Sequence, residues 1–213
     1  MKVIKILLGI IVGVLALIFI GTLFMSPHYR VERAQVMNAT PERIFPHINN
    51  LSAWREWMVW AKRDPNMKIT YSGPESGVGC KSSWESESEG SGEMTISESV
   101  APEKVAYDLY FPEYKSRSIG VISLEKVDGG TKVNWVNEGE MDGIVGKIFV
   151  FFMDSMLGPD FETNLANLKT LCEKPLPVPV ETAADEALST QDDPVEGPTE
   201  DPEEDEPDPS DPH

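Results

Sequence analysis

The sequence predicts an α+β domain, in which a strongly curved antiparallel sheet of about seven strands grips one long C-terminal helix, behind a single N-terminal transmembrane helix. Three observations carry this reading. Residues 6–25 contain no charged side chain. Between residues 67 and 138 apolar side chains recur with a period of two, in short runs broken by Gly and Pro. From Gly143 to Cys172 the spacing lengthens to that of a helix.

Each element follows from local chemistry. The twenty residues from Ile6 to Met25 are enough to cross about 30 Å of hydrocarbon as a helix. Fourteen of them are Ile, Leu, Val or Phe, which together favour insertion by about 4 to 8 kcal/mol. A cleaved signal would have a shorter apolar run ending in a small-x-small site, whereas this one closes on Thr22-Leu23-Phe24-Met25. An uncleaved anchor is therefore expected over residues 1–27. Lys2 and Lys5 lie on one side of it, Arg30 and Arg33 on the other. The short N-terminal stub favours a cytoplasmic N-terminus with the domain outside, the expectation for a single-pass protein of a bacterial inner membrane. Gly9 and Gly13 match the small-xxx-small spacing of paired membrane helices, which leaves a weak homodimer through the anchor open.

Tyr29 to Met37 alternates as a strand. Thr40 is a candidate N-cap with Pro41 at the first helical position. Ile44, Phe45 and Ile48 form the stripe of a short helix that Pro46 is placed to kink. Leu51 to Trp60 reads as a second short helix carrying Trp54, Trp57 and Trp60. Six strands follow, over residues 67–71, 79–87, 93–100, 104–111, 115–126 and 131–138. The tight turns between them predict a meander. In the closing helix, Phe161, Leu165, Leu168 and Cys172 share one face, and Pro159 is expected to break or kink the element. A curved sheet around this helix is the economical way to bury that stripe.

The formal charge of −18 belongs mostly to one segment. Residues 175–213 hold fourteen acids, nine prolines and no Lys or Arg, and are expected to form a disordered tail. The rest of the chain carries 22 acids against 18 bases. No basic surface is left to follow a phosphate backbone, so nucleic acid is not expected as a partner. The globular domain is assigned to residues 28–174, a comfortable size for one core.

Several stretches carry a resemblance. They are Val31-Glu32-Arg33, Asn38-Ala39-Thr40-Pro41-Glu42-Arg43-Ile44-Phe45, Trp54-Arg55-Glu56-Trp57, Thr70-Tyr71-Ser72-Gly73-Pro74 and Gly77-Val78-Gly79. Further on, Gly130-Thr131-Lys132-Val133-Asn134-Trp135 and Gly158-Pro159-Asp160-Phe161-Glu162 add to them. In this order they resemble the START-like (SRPBCC) superfamily of the polyketide cyclase/dehydrase and lipid-transport type, over nearly all of residues 29 to 173. The resemblance implies a helix-grip (START/Bet v 1-like) fold with a cavity between sheet and long helix, and an apolar small molecule or lipid as partner. It does not fix the task, because some members bind and others catalyse.

Alternation supplies candidate cavity residues. Cys80, Ser82 and Trp84 share one strand face. Met94 with Ile96, Tyr107 with Leu109, Ile122 with Leu124, and Val133 with Trp135 are expected inward by the same rule. Trp57 and Trp60 from the second short helix, and Phe152 and Met156 from the long one, are expected to approach from the open side. The same side chains would equally fill a solid core. Ile148 to Met153 are six consecutive apolar residues, more than one helix face buries against a sheet, so some should face a void, a second layer or the bilayer.

Catalytic chemistry finds little support. His28, His47 and His213 lie beside no Cys, His or acid at metal-ligand spacing, and Cys80 and Cys172 are far apart in sequence. Asp108 and Glu138 fall on the outer face by alternation, leaving Tyr107 as the lone acid–base candidate in the cavity. No catalytic residue, metal or cofactor is assigned. Three functions stay open: a membrane-tethered binding module for a lipid or apolar small molecule, a cyclase- or dehydratase-like enzyme, and a scaffold acting through the acidic tail.

Overall fold

The computed structural model describes residues 2–175. Beyond Pro175 the acidic segment lies outside the described residues. Helix α1 (Lys2–Leu23) is long and apolar enough to cross a membrane, with a mean hydropathy of 3.0. Its described large side chains are exposed, as they must be if lipid is to be their solvent.

Strand β1 (His28–Met37) leads into α2 (Pro41–Asn49), which buries Ile44, Phe45 and Ile48 and runs through Pro46. A 3-10 turn (Ala53–Glu56) and the short α3 (Trp60–Arg63) follow. Six strands then form the meander: β2 (Lys68–Ser72), β3 (Lys81–Glu85), β4 (Gly92–Val100), β5 (Lys104–Phe111), β6 (Ser116–Val127) and β7 (Gly130–Glu140). Helix α4 (Gly143–Cys172) closes the domain. The sheet has seven antiparallel strands in the order β1-β7-β6-β5-β4-β3-β2. The chain thus enters at one edge, crosses to the other through its short helices, and returns strand by strand.

The register decides what faces inward. Ile96, Tyr107, Gly120, Asn137 and Val31 lie in one row across β4, β5, β6, β7 and β1. Val105, Ile122 and Trp135 form the next row. Against these rows α4 sets Phe161, Leu165, Leu168 and Cys172, all buried, while the region between α2 and α3 adds Trp54 and Trp57. Burying each such side chain stabilises the fold by about 1.5–3 kcal/mol.

Three expectations need correction. Leu51 to Trp60 is not one helix, because its backbone groups have other partners. Asn164 Oδ1 on α4 accepts the Val59 N–H at 2.7 Å, and Asn167 Nδ2 donates to the Trp57 carbonyl at 2.9 Å. The indoles of Trp54 and Trp57 donate back to the Ile48 and His47 carbonyls. The strand expected from Gly79 begins only at Lys81, since Gly79 takes a left-handed φ of 88° that an extended strand cannot use. Its N–H still reaches the Ile96 carbonyl at 2.8 Å. Finally, α4 continues as helix through Pro159. Proline removes one helical hydrogen bond, and here packing on both sides of it outweighs that loss.

Candidate functional site

The inner face of the sheet carries a strip of uncharged polar side chains among apolar ones. Trp135 Nε1 donates to the Tyr107 hydroxyl at 2.9 Å. The Tyr29 hydroxyl donates to Asn137 Oδ1 at 3.2 Å, and Asn137 Nδ2 donates to Ser118 Oγ at 3.3 Å. The five residues come from β1, β5, β6 and β7, and the register brings them together. Tyr29, Gly139 and Ser118 form one row, and Asn137 and Tyr107 belong to the next. Trp135, Tyr107, Asn137 and Ser118 are buried and Tyr29 is half-buried. Tyr107 fits because its partner in the register is Gly120, where any side chain would collide with the phenol ring.

The electrostatics of this strip are simple. Burial raises the Tyr107 hydroxyl far above its ordinary range, and the hydrogen bonds with Trp135 and Asn137 only partly oppose it. Burial raises Tyr29 as well, against a weaker opposing hydrogen bond with Ser118. Both phenols stay protonated near neutrality. The strip therefore offers hydrogen bonds to a neutral group rather than a base for proton abstraction.

Around it the sequence-predicted residues fall into three sets. Trp57, Ile96, Tyr107, Ile122 and Trp135 sit in the close-packed core. Trp135 stacks on Phe161 with ring centroids 4.1 Å apart, and Trp57 meets Trp135 edge-on at 5.7 Å. Trp60, Met94 and Leu109 are half-buried and pack against that core, as do Tyr29, Met153 and Leu157. Trp84, Phe152 and Met156 lie off it. The Trp84 ring covers Gly92 and meets Phe111 at 5.8 Å, which keeps it toward the β2 side of the sheet. Phe152 and Met156 are half-exposed on the first half of α4, on a helix face turned away from the core.

Sequence reasoning named Tyr107 but missed Tyr29, Ser118 and Asn137. A signal for the last two was present: they share inward parity with Ile122 and Trp135 on their strands, so a polar residue there is a buried polar residue. Asn164 was also missed. It is fully buried on α4, and its Nδ2 has no hydrogen-bond partner among the described residues.

The far side of the core is closed by polar contacts. Trp60 Nε1 donates to Asp160 Oδ2 at 2.8 Å, and the Arg63 guanidinium forks onto the same carboxylate. On the β1 side, Arg33 donates to Asp154 Oδ1 at 2.8 Å and to Glu162 Oε1 at 2.7 Å, fastening α4 to the sheet edge. The guanidinium occupies the space above Gly158 that a side chain would need. Two open depressions, of about 450 and 170 Å³, lie elsewhere, near the start of α2 and beside the loop after β2. Cys80 and Cys172 are free, buried thiols, and burial pushes Cys172 up to about 11. Among the described residues no cluster of His, Cys, Asp and Glu is arranged to hold a metal ion.

Comparison with known proteins agrees with this architecture. A solved protein from Chromobacterium violaceum is 18% identical, with a TM-score of 0.52 over 68% of this chain and 98% of its own. One from Rhizobium leguminosarum is 17% identical, with a TM-score of 0.53 over 70% and 96%. BexL, a di-domain ARO/CYC from the BE-7585A biosynthetic pathway, is 11% identical, with a TM-score of 0.53 over 70% of this chain and 52% of BexL. At these identities the likenesses speak for the fold alone. Among curated proteins, none is similar to this chain. Residues 28–173 match the family described as polyketide cyclase / dehydrase and lipid transport. That match runs from the first residue of β1 to just past the end of α4, and the chain belongs to this family.

Proposed function

We propose that the chain is a membrane-tethered binding module that takes a lipid or another apolar small molecule between the concave sheet and α4. The carrying observation is the strip of neutral hydrogen-bonding groups, Tyr29, Tyr107, Ser118, Asn137 and Trp135, set in an otherwise apolar inner face. Apolar walls with a few convergent polar groups are what a small-molecule site requires. Met153 and Leu157 of α4 pack only partly against this region. The reading requires the first half of α4 to move outward to admit a ligand. Helix α1 supports tethering by its length and composition. The reading places the domain on the extracytoplasmic side of a bacterial inner membrane, on the shortness of the N-terminal stub, since Lys2 and Lys5 are matched by Arg30 and Arg33 across the helix.

The protonated phenols favour binding over chemistry, since neither accepts a proton at neutral pH. Likeness to the ARO/CYC BexL keeps a cyclase- or dehydratase-like reaction as the second reading.

The test is a titration of the full-length protein, in detergent, with a long-chain alcohol, the matching alkane and the matching carboxylate. Trp57 and Trp135 report through their fluorescence. The alcohol should bind about fivefold or more tighter than the alkane, the equivalent of one added hydrogen bond. It should also outcompete the carboxylate, because burying an unpaired charge is costly. Tyr107→Phe should shrink the preference for the alcohol. Absence of saturable binding, together with no lipid found by mass spectrometry in the purified protein, would reject the binding reading.

A further inference from the structure

The first half of α4 turns an apolar face outward. Val145, Phe149, Phe152 and Met156 are between 46% and 66% exposed, and their spacing of four, three and four places them in one stripe. Ile144 and Phe151, 43% and 69% exposed, form a neighbouring stripe with Ile148. At 100° per residue the two stripes merge into an arc of about 160° that is apolar except for Ser155 near its C-terminal end. The opposite side of the same helical segment carries Met153 and Leu157, which pack toward the sheet.

Three features say what covers this face. From Gly143 to Met153 the sole charged side chain is Lys147. Its Nζ donates to the Thr22 carbonyl in the last turn of α1, at 3.1 Å. The Met141 N–H reaches the Pro27 carbonyl at 2.9 Å, so α4 begins where α1 ends. Phe24, between the two, is 87% exposed. The outward face of α4 thus starts beside the apolar end of α1. A lone Lys at this depth suits an interface, where its long stem lies along apolar surface and its head reaches polar groups.

We propose that this face of α4 seats in the lipid interface of the bilayer that α1 spans. The inference rests on the tethered reading above and deepens it: the helix that covers the ligand space is itself in contact with lipid. A second copy of the chain fits less well. A helix–helix seam takes a narrow stripe of two positions in seven, whereas this arc spans almost half the helix circumference. Helices that lie in the interface carry a broad apolar face of this kind. Seated so, α4 gives an apolar molecule a path from the acyl region to the sheet without crossing water.

The test uses the full-length chain in phosphatidylcholine–phosphatidylglycerol vesicles, with an environment-sensitive fluorophore on one introduced cysteine at a time. Cys80 and Cys172 are buried and should remain unlabelled. The sites are Phe151→Cys on the proposed face, Leu15→Cys within α1, and Asp128→Cys in the β6–β7 turn at the opposite end of the sheet. The label at 15 should be quenched by lipids carrying a quencher deep in the acyl chain. The label at 151 should be quenched at least twofold more than that at 128 by lipids with the quencher near the headgroup. If the label at 15 is quenched while that at 151 behaves like that at 128, the inference falls and the tether stands. If the label at 15 is not quenched, both fall. A label at 151 shielded from lipid and aqueous quenchers alike, with energy transfer between copies, overturns the inference in favour of self-association. Val145→Cys reads the same face should the Phe151 variant fail to fold.

Discussion

On its β6 side Tyr107 faces Gly120, and the fit between the two is tight enough to measure. A methyl group on Gly120 would collide with the phenol ring. Gly120→Ala should therefore cost about 2–3 kcal/mol in chemical denaturation, as overpacked cores do. In a Tyr107→Ala background the same change should cost under about 1 kcal/mol, because the clash has gone. Equal costs in both backgrounds would show that the ring is not the constraint. Alternation in the sequence was enough to turn Tyr107 inward. It was not enough to find Gly120, Asn137 or Ser118 beside it, because those neighbours depend on the register of three strands, which no single strand specifies.

At the scale of elements, α4 was legible in its bounds and not in its continuity. The four-three-four spacing of Phe161, Leu165, Leu168 and Cys172 marks the buried stripe, and Gly143 and Cys172 are its ends in sequence and structure alike. Pro159 suggests a break or a kink, and the helix passes through it without a break. One reason is the Arg33 bridge to Asp154 and Glu162, which holds the helix on both sides of the proline. The split of Leu51 to Trp60 escaped the sequence for a similar cause, since Asn164 and Asn167 act on it from more than a hundred residues away. Gly158→Ala should test the bridge. Its methyl group displaces the Arg33 guanidinium, a flexible end that can move, so global stability should fall by only about 1 kcal/mol. Amide exchange in residues 146–157 should rise well beyond that global change, as expected when one element is released locally. Uniform loss of protection across the domain would mean that the bridge does not act on α4 in particular.

For the molecule as a whole, the meander and the family were readable because turns, period and motif order agree at every step. The outward apolar face of α4 was readable only as an excess: six apolar residues in a row exceed what one face can bury, but sequence does not say which side they take. In the structure the end of α1, the start of β1, the end of β7 and the start of α4 meet at one end of the sheet. A chain beginning at His28 should keep the folding stability of the domain within about 1 kcal/mol, since the core draws on no residue of α1. Flotation should find the full chain with membranes and the shortened one divided between membrane and solution by its α4 face. A large stability loss on shortening would make α1 part of the domain rather than its tether.

The contacts along β1 have a further consequence. This is an edge strand, and edge strands invite other chains to add to the sheet. Here the Glu32 carbonyl accepts from Arg33 and the Val36 carbonyl from Lys169 of α4, while the Asn38 N–H is held by Glu173. Two carbonyls that an incoming strand would use, and the N–H just past the end of β1, are thus taken by side chains. At the other edge β2 is only five residues long and opens with Lys68. If α1 holds the protein in the plane of a membrane, as proposed, it meets its own copies often. Edges shortened or partly occupied in this way make edge-to-edge pairing between such copies less favourable.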